Sequence, residues 1–291
     1  MPQYADIGKS SRDLLSGTPK SGAFNFNPKL TFSSTTSTGV SFAVTAIANT
    51  EKNVDGTLKV SYGNKCYSTD ATIAPGGKTS VNATLANALD KAGVPGVKLG
   101  LSAALPDVAG TAKMNMEYNP CKEFGMKKSF TLSSAPLLDV SCGGLYMGVT
   151  SGAELSYDAA KGAVTKSNLA VGYSADDFQV SAHYIGMEAN KKTNSLDALL
   201  KLAFVHKINP TKTVGAEVTR NLSNSGISFT LGYSEKLMCG ALAKLKLDNT
   251  GLLSMMYETS LTTGETLAGA LQMQATDLSQ PPKVGLSIDL S

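Results

Sequence analysis

From about residue 24 to the C-terminus, apolar residues alternate with polar ones in runs of about eight to eleven, the pattern of strands with one apolar and one polar face. Leu58, Val60 and Tyr62 interleave with Thr57, Lys59 and Ser61; Val97, Leu99 and Leu101 with Lys98, Gly100 and Ser102; Met114, Met116 and Tyr118 with Lys113, Asn115 and Glu117. The same alternation runs through Leu169 to Tyr173, Phe178 to Tyr184 and Ile227 to Tyr233. Clusters rich in Gly, Asn, Asp and Pro punctuate these runs and predict hairpin turns at Asp55-Gly56, Pro75-Gly76-Gly77, Asp158 to Gly162, Asp176-Asp177, Asn224 to Gly226, Asp248 to Gly251 and Thr263-Gly264. Beyond the first 22 residues about 269 remain, and at about 14 residues per membrane-spanning strand with its turn they make about 19 strands. The domain reading is therefore a helix and hinge over 1–22 and a β-barrel over 23–291.

The first sixteen residues depart from that alternation. At about 100° per residue, Tyr4, Ile7, Ser11, Leu14 and Leu15 gather on one arc, while Asp6, Lys9, Arg12 and Asp13 fall outside it. The spacing predicts one amphipathic helix with Pro2 near its start, a Lys9–Asp13 ion pair one turn apart, and a stop at Gly17-Thr18-Pro19. With their charges off the apolar arc, Lys9 and Arg12 are expected to project into water once that arc lies against a wall.

Composition decides what the wall meets. Of 291 residues 42% are hydrophobic and only 17% charged, against about 25% charged in an ordinary soluble chain. The longest uncharged run, Leu30 to Thr50, is long enough for a spanning helix but holds ten Ser or Thr, which lipid disfavours in a helix. A membrane-spanning chain of this kind has to be a closed barrel, because only closure satisfies every strand's backbone groups. No apolar segment of the secretory type precedes the pattern. Tyr62, Tyr118, Tyr157, Tyr173, Tyr184, Tyr233 and Tyr257 recur on the apolar face near segment ends, where interfacial girdles sit. The polar face carries Lys59, Lys98, Lys113, Lys166, Lys201, Lys244, Lys246 and Lys283 against Glu117, Glu154, Glu217, Glu258 and Asp289. A mildly cationic lumen follows, and such a lumen biases a wide pore toward anions.

Other chemistries find little support. Cys66, Cys121, Cys142 and Cys239 are widely spaced and read as free thiols rather than a metal site or disulfide framework. His183 and His206 stand outside any metal or triad spacing, no phosphate-binding glycine loop is present, and no enzyme activity, metal or cofactor is expected. A formal charge of +3 without a basic run gives no nucleic-acid-binding motif.

Tyr4-Ala-Asp-Ile-Gly-Lys-Ser-Ser-Arg-Asp-Leu-Leu15 closely resembles the N-terminal helix of the eukaryotic voltage-dependent anion channels, the mitochondrial porins. Lys166 to Tyr173 followed by Asp176 to Gln179, Thr213 to Glu217 and Lys283 to Leu290 resemble further family segments, plant or algal in character. The resemblance covers essentially the whole chain. It implies an all-β transmembrane barrel of 19 strands with first and last strands parallel, and the N-terminal helix inside the pore. It also implies a voltage-gated, weakly anion-selective channel of the mitochondrial outer membrane, passing ATP, ADP and inorganic ions by diffusion. The implied partners are the lipid bilayer and permeating anions and nucleotides, with room for a homo-oligomer. On this resemblance Lys9, Arg12 and the wall lysines from Lys59 to Lys246 line the pore, and Gly96-Val97-Lys98 stands where the family has a triplet associated with nucleotide passage. Lys283, Gly285, Ile288 and Leu290 match the last-strand assembly signal, and the N-terminus is expected to be retained as part of the pore. The family's glycine-rich hinge appears as Gly17 to Gly22 with fewer glycines and a proline. No membrane-facing glutamate stands near Ile73. The alternatives are a protein-import channel of the same barrel family and a soluble β-rich binding protein; dependence on detergent separates the latter from a barrel.

Overall fold

The computed structural model describes residues 3–17, 22–48, 53–88, 94–186, 198–261 and 264–290. Among them the alternating runs form nineteen strands in one sheet. In chain order these are β1 (Lys29–Thr35), β2 (Val40–Ala48), β3 (Val54–Gly63), β4 (Tyr67–Ile73), β5 (Thr79–Leu85), β6 (Val97–Leu105), β7 (Lys113–Tyr118), β8 (Phe124–Thr131), β9 (Leu137–Tyr146) and β10 (Val149–Asp158). They continue as β11 (Ala163–Ser174), β12 (Phe178–Gly186), β13 (Ala198–Lys207), β14 (Lys212–Asn221), β15 (Ile227–Lys236), β16 (Leu242–Asp248), β17 (Leu252–Ser260), β18 (Thr266–Gln274) and β19 (Lys283–Leu290). Neighbours in sequence pair antiparallel, as hairpins do, and the sheet closes where β1 pairs β19 in parallel, from Lys29 opposite Ser287 to Phe32 opposite Leu290. An odd strand number forces that one parallel seam: the first and last strands then run the same way.

Closure removes the sheet edges, so no backbone ladder is left to meet lipid. The apolar residues of the alternation point outward. Leu169, Val171 and Tyr173 are exposed while their strand neighbours Asn168 and Ala170 are buried, and Phe229 and Leu231 flank outward while Gly232 faces in. A barrel whose exterior is a continuous apolar surface and whose interior is polar is built to stand in a bilayer. No described helix is long and apolar enough to cross one.

Odd-numbered strands start at one rim, here the near rim, and end at the other, the far rim. The tyrosine girdle is lopsided. Tyr62, Tyr67, Tyr118, Tyr146, Tyr173 and Tyr233 lie on the outer face toward the far rim, and Tyr157 and Tyr184 toward the near rim. Tyr62 and Tyr67 pack with ring centroids 6.0 Å apart, and Tyr173, Phe178 and Phe204 form a chain at 5.8 and 6.3 Å. Tyr257 sits deeper in β17, between the rims.

Two expectations about local structure need correction. Asp55 and Gly56 do not make a turn: they lie inside β3, paired with Ile47 and Ala46, because the ladder to β2 outweighs the weak strand propensity of a glycine that faces open space. The N-terminal helix is not continuous either. A single 3-10 turn, Tyr4–Asp6, is followed by α1 (Lys9–Leu15), with Gly8 between them at φ +67°. A Cβ on Gly8 would lie 2.7 Å from both Ser181 Oγ and His183 Nε2, so the left-handed glycine lets the backbone press onto β12 and redirects the chain there. A short helix, α2 (Val108–Thr111), follows β6 at the near rim, where the Asp107 carboxylate accepts from Gly110 N at 3.0 Å.

Candidate permeation pathway

The N-terminal segment lies inside the barrel along β9 to β15. Ile7, Ser11, Leu14 and Leu15 of the apolar arc read from the sequence are buried, as is Gly8, and Tyr4, half-buried, sits edge-on to His183 at 6.4 Å. The wall receives this arc through missing side chains. A Cβ on Gly152 would lie 3.0 Å from Ile7 Cδ1, on Gly172 3.2 Å from Ile7 Cγ2, on Gly215 2.6 Å from Leu14 Cδ2 and on Gly232 2.5 Å from Leu15 Cδ2. Four inward glycines on β10, β11, β14 and β15 thus form sockets for three side chains of the N-terminal segment, and Val205 completes the small core with Leu14 and Leu15.

The two helix cations have different fates. Lys9 is exposed to the lumen, whereas the Arg12 guanidinium folds back, Nη1 donating to Ile7 O at 3.0 Å and Nη2 to Ala5 O. Those carbonyls belong to the broken turn ahead of α1, so Arg12 holds the kink. The Lys9–Asp13 ion pair is not formed within 4 Å. Gln3 Nε2 instead reaches across to Glu117 Oε1 at 2.6 Å, and the Asp6 carboxylate accepts from Gln3 N at 3.2 Å. Pro2, Thr18 and Pro19, with the middle of the expected hinge, lie outside the described residues, as does Thr263 of the last expected turn.

Register places Lys59, Lys98, Lys113, Lys166, Lys201, Lys244, Lys246 and Lys283 on the inner parity of their strands, with Lys29, Lys127, Lys207 and Lys236 besides. They are not equivalent. Beneath the helix, Lys166 pairs with Glu154 and Lys201 with Glu217, each at 2.8 Å; on the open side Lys98 meets Glu117 and Lys29 meets Asp289 only at 3.8 Å. Among the described residues the inward lysines Lys59, Lys113, Lys127, Lys207, Lys236, Lys246 and Lys283 have no ion pair, Lys207 lying beside Ser10 and Asp13 of the helix. Lys244 departs from its expected place as a pore-lining cation. It is 4% exposed, covered by the N-terminal segment, and its Nζ donates to Asp13 O at 2.5 Å and Gly22 O at 3.1 Å. Its inward parity is as expected, but nothing in the residues around it marks the helix above.

Between the 3-10 turn and the wall lies a polar cavity of about 390 Å3, into which Lys113, Lys127, Lys166, Asp139 and Glu154 face. Of the triplet Gly96-Val97-Lys98, Lys98 points inward, Val97 is buried on the other face, and Gly96 turns at φ +80° against Asn119 O. On β19, Val284, Leu286, Ile288 and Leu290 face outward and Lys283, Gly285 and Ser287 inward. Gly285 has a packing reason to be glycine: a Cβ there would collide with Asn25 O and Phe26 Cα, where the segment before β1 crosses the seam.

Set against known proteins, the chain matches the eukaryotic porin family over residues 1–285. It belongs to that family. This porin is similar to mitochondrial outer membrane protein porin 4 of Arabidopsis thaliana, 27% identical, with 99% of this chain and 97% of that one covered. It is likewise 27% identical to an outer plastidial membrane protein porin of Pisum sativum, again over 99% of this chain and 97% of the other. A solved structure of a doubly substituted mutant of Rh. blastica porin is similar at a TM-score of 0.48 and 13% identity, covering 80% of this chain and 88% of that one.

Proposed function

We propose that this porin is a diffusion channel of the mitochondrial outer membrane that passes small metabolites such as ATP and ADP and inorganic ions, is weakly selective for anions, and closes with voltage. The observation that carries the reading is the sorting of lumen charge. The tight ion pairs lie on strands the N-terminal segment covers, whereas Lys59, Lys246 and Lys283 stand unpaired on the wall it leaves open and Lys113 and Lys127 stand unpaired in the cavity beside the 3-10 turn. Inward carboxylates, Asp70, Asp139 and Glu258 among them, offset part of this charge, so a permeating ion meets a modest positive excess, spread widely enough that no solute is held, which is what fast passage requires. The plant relatives are named for mitochondrial and plastidial outer membranes, and the strong likeness of the N-terminal segment to the mitochondrial channels favours the mitochondrion.

Reconstitution in a planar bilayer tests the activity. A conducting channel whose reversal potential in a salt gradient leans toward anions, that admits ATP and that closes at high voltage of either sign is the expected result. A cation preference in the open state overturns the selectivity; failure to conduct overturns the channel. Fractionation of cells expressing the tagged chain tests the membrane, with the protein expected beside mitochondrial outer-membrane markers.

A further inference from the structure

The outer face of this barrel is nearly free of charge, and its exceptions are informative. By register, the outward-facing charged side chains within the described strands are Lys128 on β8, Lys212 and Arg220 on β14, and Glu235 on β15. Three of these sit at the rims. Lys212 and Glu235 pair at 3.4 Å at the far rim, where Tyr233 OH also donates to Glu235 at 2.7 Å, and Arg220 is next to last in β14 at the near rim. Lys128 is different: it is the fifth of the eight residues of β8.

Its orientation is fixed from both sides. Ser129 Oγ bonds the inward carboxylate of Asp139 at 3.2 Å, and Lys127 lines the lumen cavity with Ser129, so Lys128 between them points away from the lumen. Lys128 is exposed, Met116 and Val140 stand opposite it on the adjacent strands, and Met126 and Phe130 flank it on its own. It makes no ion pair among the described residues. A lysine is thus held in the middle of an apolar surface, about three residues from the near end of its strand, a depth of about 7 to 8 Å for a tilted strand. Its four-carbon stem carries the ammonium most of that distance toward the near rim, and an ammonium there needs an anion.

We propose that Lys128 is an anionic-phospholipid site: its ammonium holds the phosphate of a negatively charged lipid drawn slightly inward at the near rim, while Met116, Met126, Phe130 and Val140 contact the acyl chains. A second copy of this chain fits less well as the partner. The one outward-facing carboxylate within the described strands is Glu235, at the opposite rim and already engaged by Lys212 and Tyr233, so like-oriented copies bring Lys128 no acid.

The chain has no tryptophan, which makes a site-specific measurement direct. Val140→Trp supplies a single fluorophore beside Lys128, to be read in phosphatidylcholine vesicles containing brominated phosphatidylglycerol or brominated phosphatidylcholine. The expected result is a binding constant for the anionic lipid at this reporter about fivefold above that for the zwitterionic one. The preference should disappear in Val140→Trp/Lys128→Met, persist in Val140→Trp/Lys128→Arg and be insensitive to free phosphate. A Val171→Trp reporter, on an outer face without charge, should show none. Equal quenching by the two lipids at Val140→Trp, or a preference that survives Lys128→Met, overturns the site. If Lys128→Met fails to assemble, Lys128→Gln and the Arg variant decide on the same readout.

Discussion

Lys244 Nζ donates a hydrogen bond to the backbone carbonyl oxygen of Asp13 at 2.5 Å, joining strand β16 to the last turn of the helix inside the pore. The acceptor is one of the carbonyls that a helix C-terminus leaves without an intrahelical partner, and a cation there also meets the negative end of the helix dipole. The same ammonium bonds Gly22 O, so one side chain fastens the segment on both sides of the hinge. Lys244→Met keeps the volume and removes both bonds. It should weaken helix docking by about 2 kcal/mol and lower the voltage needed for closure. Lys246→Met, two residues on and facing the open lumen, serves as the control and should leave the closing voltage in place.

The glycine sockets make a second prediction. Gly232→Val puts side-chain atoms where Leu15 and Leu14 now sit, and filling a packed site costs about 1 to 3 kcal/mol. The helix should lift. In a background lacking the native cysteines, a Leu14→Cys thiol buried in the parent should become open to a water-soluble maleimide when Gly232→Val is added. Gly269→Val, on an outward glycine of β18 with nothing within 4 Å, should leave that thiol protected.

Lys9 and Arg12 separate in function although they are one helical turn apart. Lys9 stands free in the lumen, and Lys9→Glu should shift the reversal potential toward cations as far as the wall variant Lys113→Glu does. Arg12 is engaged with Ile7 O and Ala5 O, so Arg12→Gln should chiefly loosen the turn before Gly8. Faster cleavage by added protease near Ala5, with a smaller change in selectivity than Lys9→Glu gives, is the expected outcome.

Most of the architecture was legible because a membrane barrel writes itself into the chain at period two: one residue in each pair must suit lipid and its neighbour water. Leu169, Val171 and Tyr173, and Lys59, Lys113 and Lys166, follow directly from that parity. What the alternation does not carry is the partner of an inward residue. Nothing local marks Glu154 as the partner of Lys166 or Asp13 as the acceptor for Lys244, since both depend on strand register and on a segment far away in sequence. The socket glycines looked like ordinary weak strand positions, and their meaning appears only when Ile7, Leu14 and Leu15 arrive. The break at Gly8 was hidden because the apolar arc spans it without a change of phase. Lys128 breaks the alternation openly, beside Lys127, and a doubled lysine between Met126 and Ser129 was the available signal for it.

The closing strand offers a test that separates assembly from packing. Ile288→Glu places a carboxylate on the outward stripe of β19 and should block insertion in a mitochondrial import assay. Gly285→Ala changes no outward residue; it should insert but displace the segment Phe24 to Asn27 that crosses the seam, seen as a lower thermal midpoint in detergent. Normal insertion of Ile288→Glu contradicts the assembly role of that stripe.

If unpaired lumen lysines carry the selectivity, the reversal potential in a salt gradient must follow their charge. Lys59→Glu/Lys113→Glu/Lys127→Glu reverses three lumen cations that have no ion pair, while Lys166→Gln/Glu154→Gln removes a complete ion pair. The triple variant should turn the open channel from anion-leaning to cation-leaning, and the paired variant should keep the parent's reversal potential. An unchanged reversal potential in a folded, conducting triple variant would show that these lysines do not set the selectivity.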